Sequence, residues 1–118
     1  MKFMILNFSP EFLQKILDGS KRITLRKGIR KIKAGPCILK ADGVELRALI
    51  ERADYLRFSE LGKEHVKYEG LDSIEELRGL LKRFYPGIEG KSWITAIYFK
   101  LEKEVKDGNS ETIQRRPR

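Results

Sequence analysis

The stretch Cys37-Ile38-Leu39-Lys40-Ala41-Asp42-Gly43-Val44-Glu45-Leu46-Arg47-Ala48-Leu49-Ile50-Glu51 decides the fold class. Asp42-Gly43 is a pair that tolerates positive φ and joins two strands in a tight hairpin. Before it, Cys37 to Lys40 is a short apolar strand. After it, Val44, Leu46, Ala48 and Ile50 alternate with Glu45, Arg47 and Glu51, the period of a strand with one buried and one wet face. Working outward, Lys2 to Phe8 reads as a strand, and Ile23, Thr24 and Leu25 read as extended, with turns at Gly28 and Ala34-Gly35-Pro36. Trp93 to Leu101 is apolar on both faces, as expected of a central strand in a closed or covered sheet. The helical signals are short. Ser9-Pro10 supplies an N-cap and a first-turn proline, Phe12, Leu13, Ile16 and Leu17 form a buried face, and Gly19 ends the helix. A polar helix is expected from Ser59 to Lys67. Ser73 and Glu76 form a capping box for a third helix, with apolar face Ile74, Leu77, Leu81 and Phe84, stopped by Tyr85-Pro86-Gly87. Strands interspersed with a few short helices predict an α+β domain built on a small barrel.

Composition bounds the function. The chain of 118 residues is the size of one domain, with 41% hydrophobic and 36% charged residues, enough apolar material for a core. Residues 1–105 read as that domain and 106–118, ending in Arg115-Arg116-Pro117-Arg118, as a polar basic tail expected to be disordered. The longest uncharged runs, Phe3 to Pro10 and Ser92 to Phe99, have eight residues each, too few for a bilayer, so no membrane partner is expected. Ser9-Pro10-Glu11 follows the N-terminal apolar run where a signal peptide would carry small residues. A lone Cys37 and a lone His65 give neither a disulfide nor a zinc site; no metal or cofactor is expected, and a reducing cytoplasm fits. Few Asn, Gln and Cys beside many charges is a thermophile-like composition. The glycines form no phosphate loop, which excludes a P-loop nucleotide hydrolase, and no helix carries a basic recognition face for the DNA major groove.

Seven of the net +8 charges fall between Lys21 and Lys33, a run with no acid. Such a run suits phosphate-bearing partners, with Arg22, Arg26, Lys27, Arg30, Lys31 and Lys33 as the candidate nucleic-acid contacts. Within it, Lys21 and Thr24 place an amine and a hydroxyl three residues apart. Neighbouring cations and burial both favour a neutral lysine, and a neutral lysine can take the proton of a threonine nucleophile. In a straight strand these two positions face opposite ways, so the pairing demands a bend. Trp93, Tyr98 and Phe99 read as core, His65 as solvated and Cys37 as buried.

The sequence Gly19-Ser20-Lys21-Arg22-Ile23-Thr24-Leu25-Arg26, followed in order by Gly35, Tyr68-Glu69-Gly70, Ser73-Ile74-Glu75-Glu76-Leu77, Tyr85-Pro86 and Ile97-Tyr98-Phe99, resembles the ASCH (activating signal cointegrator homology) domain family over about residues 3–101. The resemblance implies a PUA-like fold, a small mixed β-barrel flanked by short helices, with a cleft suited to RNA or a modified nucleoside or nucleotide. Within the family the chain is most similar to small N4-acetylcytidine amidohydrolases. That similarity implies Lys21 as proton acceptor, Thr24 as nucleophile and Glu69 as proton donor to the leaving amine, with Glu69 on a loop between two helices. Two functions follow: hydrolysis of the acyl amide of an N4-acetylcytidine-type substrate, or a non-catalytic RNA-binding module. The basic run after Arg26, where those enzymes are acidic, suits a longer anionic ligand than a free nucleoside.

Overall fold

A computed structural model describes residues 3–102; the expected tail, 106–118, lies outside the described residues. Five strands form one mixed sheet: β1 (Met4–Phe8), β2 (Ile23–Lys27), β3 (Gly35–Ala41), β4 (Val44–Arg57) and β5 (Trp93–Leu101), in the order β1-β3-β4-β5-β2. β1 pairs parallel to β3, and the other neighbours are antiparallel. The sheet is an α+β half-barrel with β1 and β2 at its two edges. The edges are bridged by a side chain: an Arg26 guanidinium nitrogen donates to the Asn7 carbonyl at 2.9 Å.

Asp42 (φ 49°) and Gly43 (φ 76°) make the expected hairpin between β3 and β4, with both residues in the positive-φ geometry that matches strand twist. β4 runs well past Glu51, and its register with β5 shifts between Ile50 and Arg52. The irregularity turns the strand over: Ala48 and Ile50 face inward before it, and Ala53 and Tyr55 take that side after it. Val44, expected inside, is exposed because it sits at the hairpin tip.

β5 lies between β4 and β2 and is covered on both sides, which is why it is apolar throughout. Ile97 and Phe99 join Leu6, Leu39 and Ile50 in the concave core, closed by Ile16 of α1 (Leu13–Leu17). Ile94, Ala96 and Tyr98 join a second core under α2 (Lys63–Glu69) and α3 (Ile74–Phe84), built with Val66, Leu77 and Leu81.

The helices depart from expectation at their ends. Ser9 precedes a 3-10 turn, Pro10–Phe12, and its hydroxyl donates to Glu11 rather than capping the backbone. Leu17 and Phe84 are exposed, not core. The helix expected over Ser59 to Lys67 is a 3-10 turn, Phe58–Glu60, followed by α2. His65 is half-buried there, its Nδ1 accepting the Gly62 amide at 3.0 Å. Ser73 caps α3 by accepting the Glu76 amide, but the Glu76 carboxylate reaches back to the Asp72 amide, one residue before the cap.

Candidate functional site

Lys21 sits outside the alternation of β2 because the strand starts two residues later, at Ile23. Gly19, at φ +83°, turns the chain off α1, and the Lys21 amide donates to the Lys15 carbonyl at 3.0 Å. This is the bend the Lys21 and Thr24 pairing requires. It puts both side chains on the wall of one cavity, although they belong to opposite positions of an extended chain.

Glu69 arrives from a different direction. It is the last residue of α2, not a loop residue, and Gly70 ends the helix in the left-handed conformation at φ +74°. A Cβ at Gly70 would lie 2.9 Å from the Ser20 carbonyl oxygen, so only glycine lets the helix end approach the α1–β2 connection this closely. Two hydrogen bonds hold the approach: the Arg22 amide to the Tyr68 carbonyl at 2.7 Å, and Lys15 Nζ to the Gly70 carbonyl at 2.9 Å.

The result is a buried ion pair. Lys21 Nζ is 2.5 Å from Glu69 Oε1 and donates to the Ile23 carbonyl at 2.9 Å, and each of the two side chains is 3% exposed. The Phe12 ring lies 4.6 Å from the ammonium. Burial pushes the Lys21 amine below its ordinary value; the Glu69 carboxylate opposes this, and Arg26 and Lys15 add to the lowering. Burial wins, so the amine gives up its proton more readily than a surface lysine does.

Thr24 is also buried, but its hydroxyl oxygen accepts from Arg26 Nε at 2.9 Å, not from Lys21. Because that oxygen is an acceptor here, its own proton is free to be given away. The cavity holds about 180 Å³, several times the roughly 30 Å³ share of a water, space for one small ring and its substituent. Asn7, Ser9, Lys21, Thr24, Arg26, Glu69 and Tyr85 supply its polar groups, and Phe8, Phe12 and Phe84 its aromatic walls. Phe12 and Phe84 meet across the mouth with ring centres 5.9 Å apart, beside an ion pair between Arg83 and Glu11. Among the described residues no group of three His, Cys, Asp or Glu converges as a metal site.

The basic run does not form one stripe. Lys21 is buried, Arg26 is half-buried in the cavity wall, and Arg22 lies over the Tyr68 ring at 4.7 Å. Lys27, Arg30, Lys31 and Lys33 are exposed, at the end of β2 and in the loop that follows. Tyr98, Phe99 and Cys37 are buried as expected, but Trp93 is 41% exposed, because it opens β5 beyond the concave core. Sequence reasoning missed the cavity's aromatic walls and Asn7. The available signal was Phe84, placed on a helix's apolar face next to Tyr85 where the helix stops.

No protein-family model matches this sequence. No curated protein matches it either. Solved structures do match. A protein of Enterococcus faecalis, described as family-model DUF984, superposes with TM-score 0.72 at 15% identity, over 86% of this chain and 77% of that one. The hypothetical protein PH0355 gives TM-score 0.68 at 26% identity over 86% and 100% of the two chains. An ASCH domain from Lactobacillus crispatus gives TM-score 0.62 at 15% identity over 83% and 79%. The chain has the fold of an ASCH-type domain, PUA-like in architecture. Among the described residues no helix is long and apolar enough to cross a membrane.

Proposed function

From the ASCH-type fold and the cavity chemistry, we propose that this pocket binds the base of a cytidine nucleoside or nucleotide and hydrolyses the acyl amide of N4-acetylcytidine-type substrates, in a cytoplasmic protein that also meets RNA. The observation that carries the reading is the convergence of Lys21, Thr24 and Glu69 on one cavity from the α1–β2 connection, β2 and the end of α2. Amide hydrolysis has to activate a nucleophile and protonate a poor leaving group. A buried Lys–Glu pair beside a threonine hydroxyl can do both with one proton circuit. Lys21 passes a proton to Glu69 and accepts the hydroxyl proton of Thr24, whose oxygen attacks the acetyl carbon. The C–N bond then breaks as Glu69 protonates the exocyclic nitrogen, leaving acetyl-Thr24, free cytidine and the Lys–Glu pair in its starting charge state. A water then attacks the acetyl group, its proton returning to Thr24 through Lys21, and acetic acid leaves. Arg26, donating to the Thr24 oxygen at 2.9 Å, stabilises negative charge on that oxygen as the attack begins.

The test is cytidine release from N4-acetylcytidine by the purified protein. The reading expects turnover in wild type and its loss in Lys21→Arg, since arginine keeps the charge but stays protonated. Thermal unfolding confirms that the variant is folded. Absent turnover in wild type, or full turnover in folded Lys21→Arg, overturns this role of Lys21.

A second reading, a non-catalytic RNA-binding module, is favoured by the exposed cations Lys27, Arg30, Lys31 and Lys33. Under it, RNA affinity falls steeply with salt and no product forms.

A further inference from the structure

Beyond the pocket, two large aromatic rings stand in solvent beside cations. Tyr55 is 44% exposed and Trp93 41% exposed, high for large aromatic residues, since tryptophan is highly buried on average. We propose that Tyr55 and Trp93, flanked by Arg57 and Arg30, form a stacking platform for nucleotides adjoining the pocket base in a single-stranded RNA. The proposal deepens the reading of the pocket as a cytidine site and rests on it for the choice of RNA.

Strand register connects the two places. Arg26 of the pocket wall is opposite Thr95, and Thr95 is opposite Tyr55. Directly opposed residues of antiparallel strands share a face, so Arg26 and Tyr55 lie on one face, two strand spacings or about 10 Å apart. Trp93, two residues before Thr95 on β5, is opposite Arg57 and continues the same face. The loop after β2 is fastened to this face: the Arg30 amide donates to Thr95 Oγ1 at 2.9 Å, Thr95 Oγ1 to the Gly28 carbonyl at 2.7 Å, and the Tyr55 hydroxyl to the Arg30 carbonyl at 2.8 Å. Arg57 is held over the Trp93 ring, 4.3 Å from its centre, by a bond to the Lys91 carbonyl at 2.7 Å.

The chemistry of the patch selects its occupant. Exposed aromatic faces stack bases without regard to sequence, and interleaved cations track the phosphates. The acid beside Arg57, Glu60, is engaged by the Arg57 backbone amide at 2.6 Å, so the guanidinium N–H groups that the Lys91 carbonyl does not take are left for the ligand.

Trp93 is the single tryptophan of the chain, so its fluorescence reports on the platform alone. Titration with a short oligocytidine RNA is expected to change that fluorescence saturably. Trp93→Ala is expected to weaken binding of the labelled RNA about 5- to 100-fold, Trp93→Phe to retain most of it, and Arg57→Glu to weaken it with the ring still present. N4-acetylcytidine turnover stays at the wild-type level in Trp93→Ala, because this ring is outside the pocket. RNA that fails to bind, or binds equally well to Trp93→Ala and Arg57→Glu, overturns the platform even where turnover persists. Tighter binding of the matching DNA overturns the assignment to RNA. Saturable quenching without any acetylcytidine turnover sustains the platform and removes the hydrolytic reading of the pocket.

Discussion

Lys21 and Glu69, 48 residues apart in the chain, share a hydrogen bond of 2.5 Å with both side chains sealed from solvent. Removing one member of such a pair leaves the other charge buried alone, which costs about 3–5 kcal/mol. Glu69→Ala is therefore expected to lower stability by about that amount in urea denaturation. The double variant Lys21→Met, Glu69→Leu is expected to lose less than either single variant, because no unpaired charge remains. Additive losses in this cycle would show that the two groups do not interact.

The lowered Lys21 value also sets a sign with pH. The unfolded lysine, near 10.5, binds its proton more tightly than the folded one, so the unfolded state holds more protons between the folded value and 10.5. Stability then rises with pH across that window, and the cost of burying the cation is fully present below it. Wild type is expected to gain stability relative to Lys21→Met, Glu69→Leu as pH is raised from neutrality towards 10.5, measured by denaturant unfolding at each pH. A relative loss over that range would reverse the assignment.

Gly70 is the hinge of the site's assembly. An alanine there adds about 1–2 kcal/mol of left-handed strain and drives a Cβ against the Ser20 carbonyl at 2.9 Å. Gly70→Ala is expected to lower the urea midpoint at unchanged m-value, a loss of about 2 kcal/mol or more of stability. The end of α2 backs away from Lys21, so substrate turnover falls with it. A variant as stable as wild type would show that the approach is looser than the structure has it.

The strands and the hairpin were legible because their signals are local: Asp42-Gly43 dictates its own turn, and Trp93 to Leu101 announces a strand covered on both sides. Lys21 and Thr24 were legible as neighbours in the chain, down to the bend they need. Glu69 was reached only through family resemblance, since nothing local distinguishes it from other glutamates, and its place at a helix end followed from Gly70 meeting Ser20. The basic run misled because adjacency in sequence carries no information on burial: Lys21 turns in and Arg26 lines the cavity, while Arg22 and the later cations reach solvent. Phe12 and Phe84 obeyed helical spacing and still line a cavity, because two helix ends meeting at the open edge of a half-barrel leave their rings without a core to enter.

Arg26 has two tasks, one to Thr24 Oγ1 and one to the Asn7 carbonyl, each at 2.9 Å. Lysine lacks the fork that serves both. Arg26→Lys is expected to lower kcat on N4-acetylcytidine by about 10²-fold or more, the scale of losing one charge-stabilising donor, with a smaller change in KM. A variant with unchanged kcat would remove Arg26 from the stabilisation of the Thr24 oxygen.

The central claim is that Thr24 carries the acyl group, and intact-mass spectrometry of acid-quenched protein during N4-acetylcytidine turnover tests it most directly. One acetyl adduct, located on Thr24 by fragmentation and absent from Thr24→Val together with its turnover, is the result expected. Cytidine release at the wild-type rate by Thr24→Val, or an adduct formed elsewhere in the chain, would contradict it.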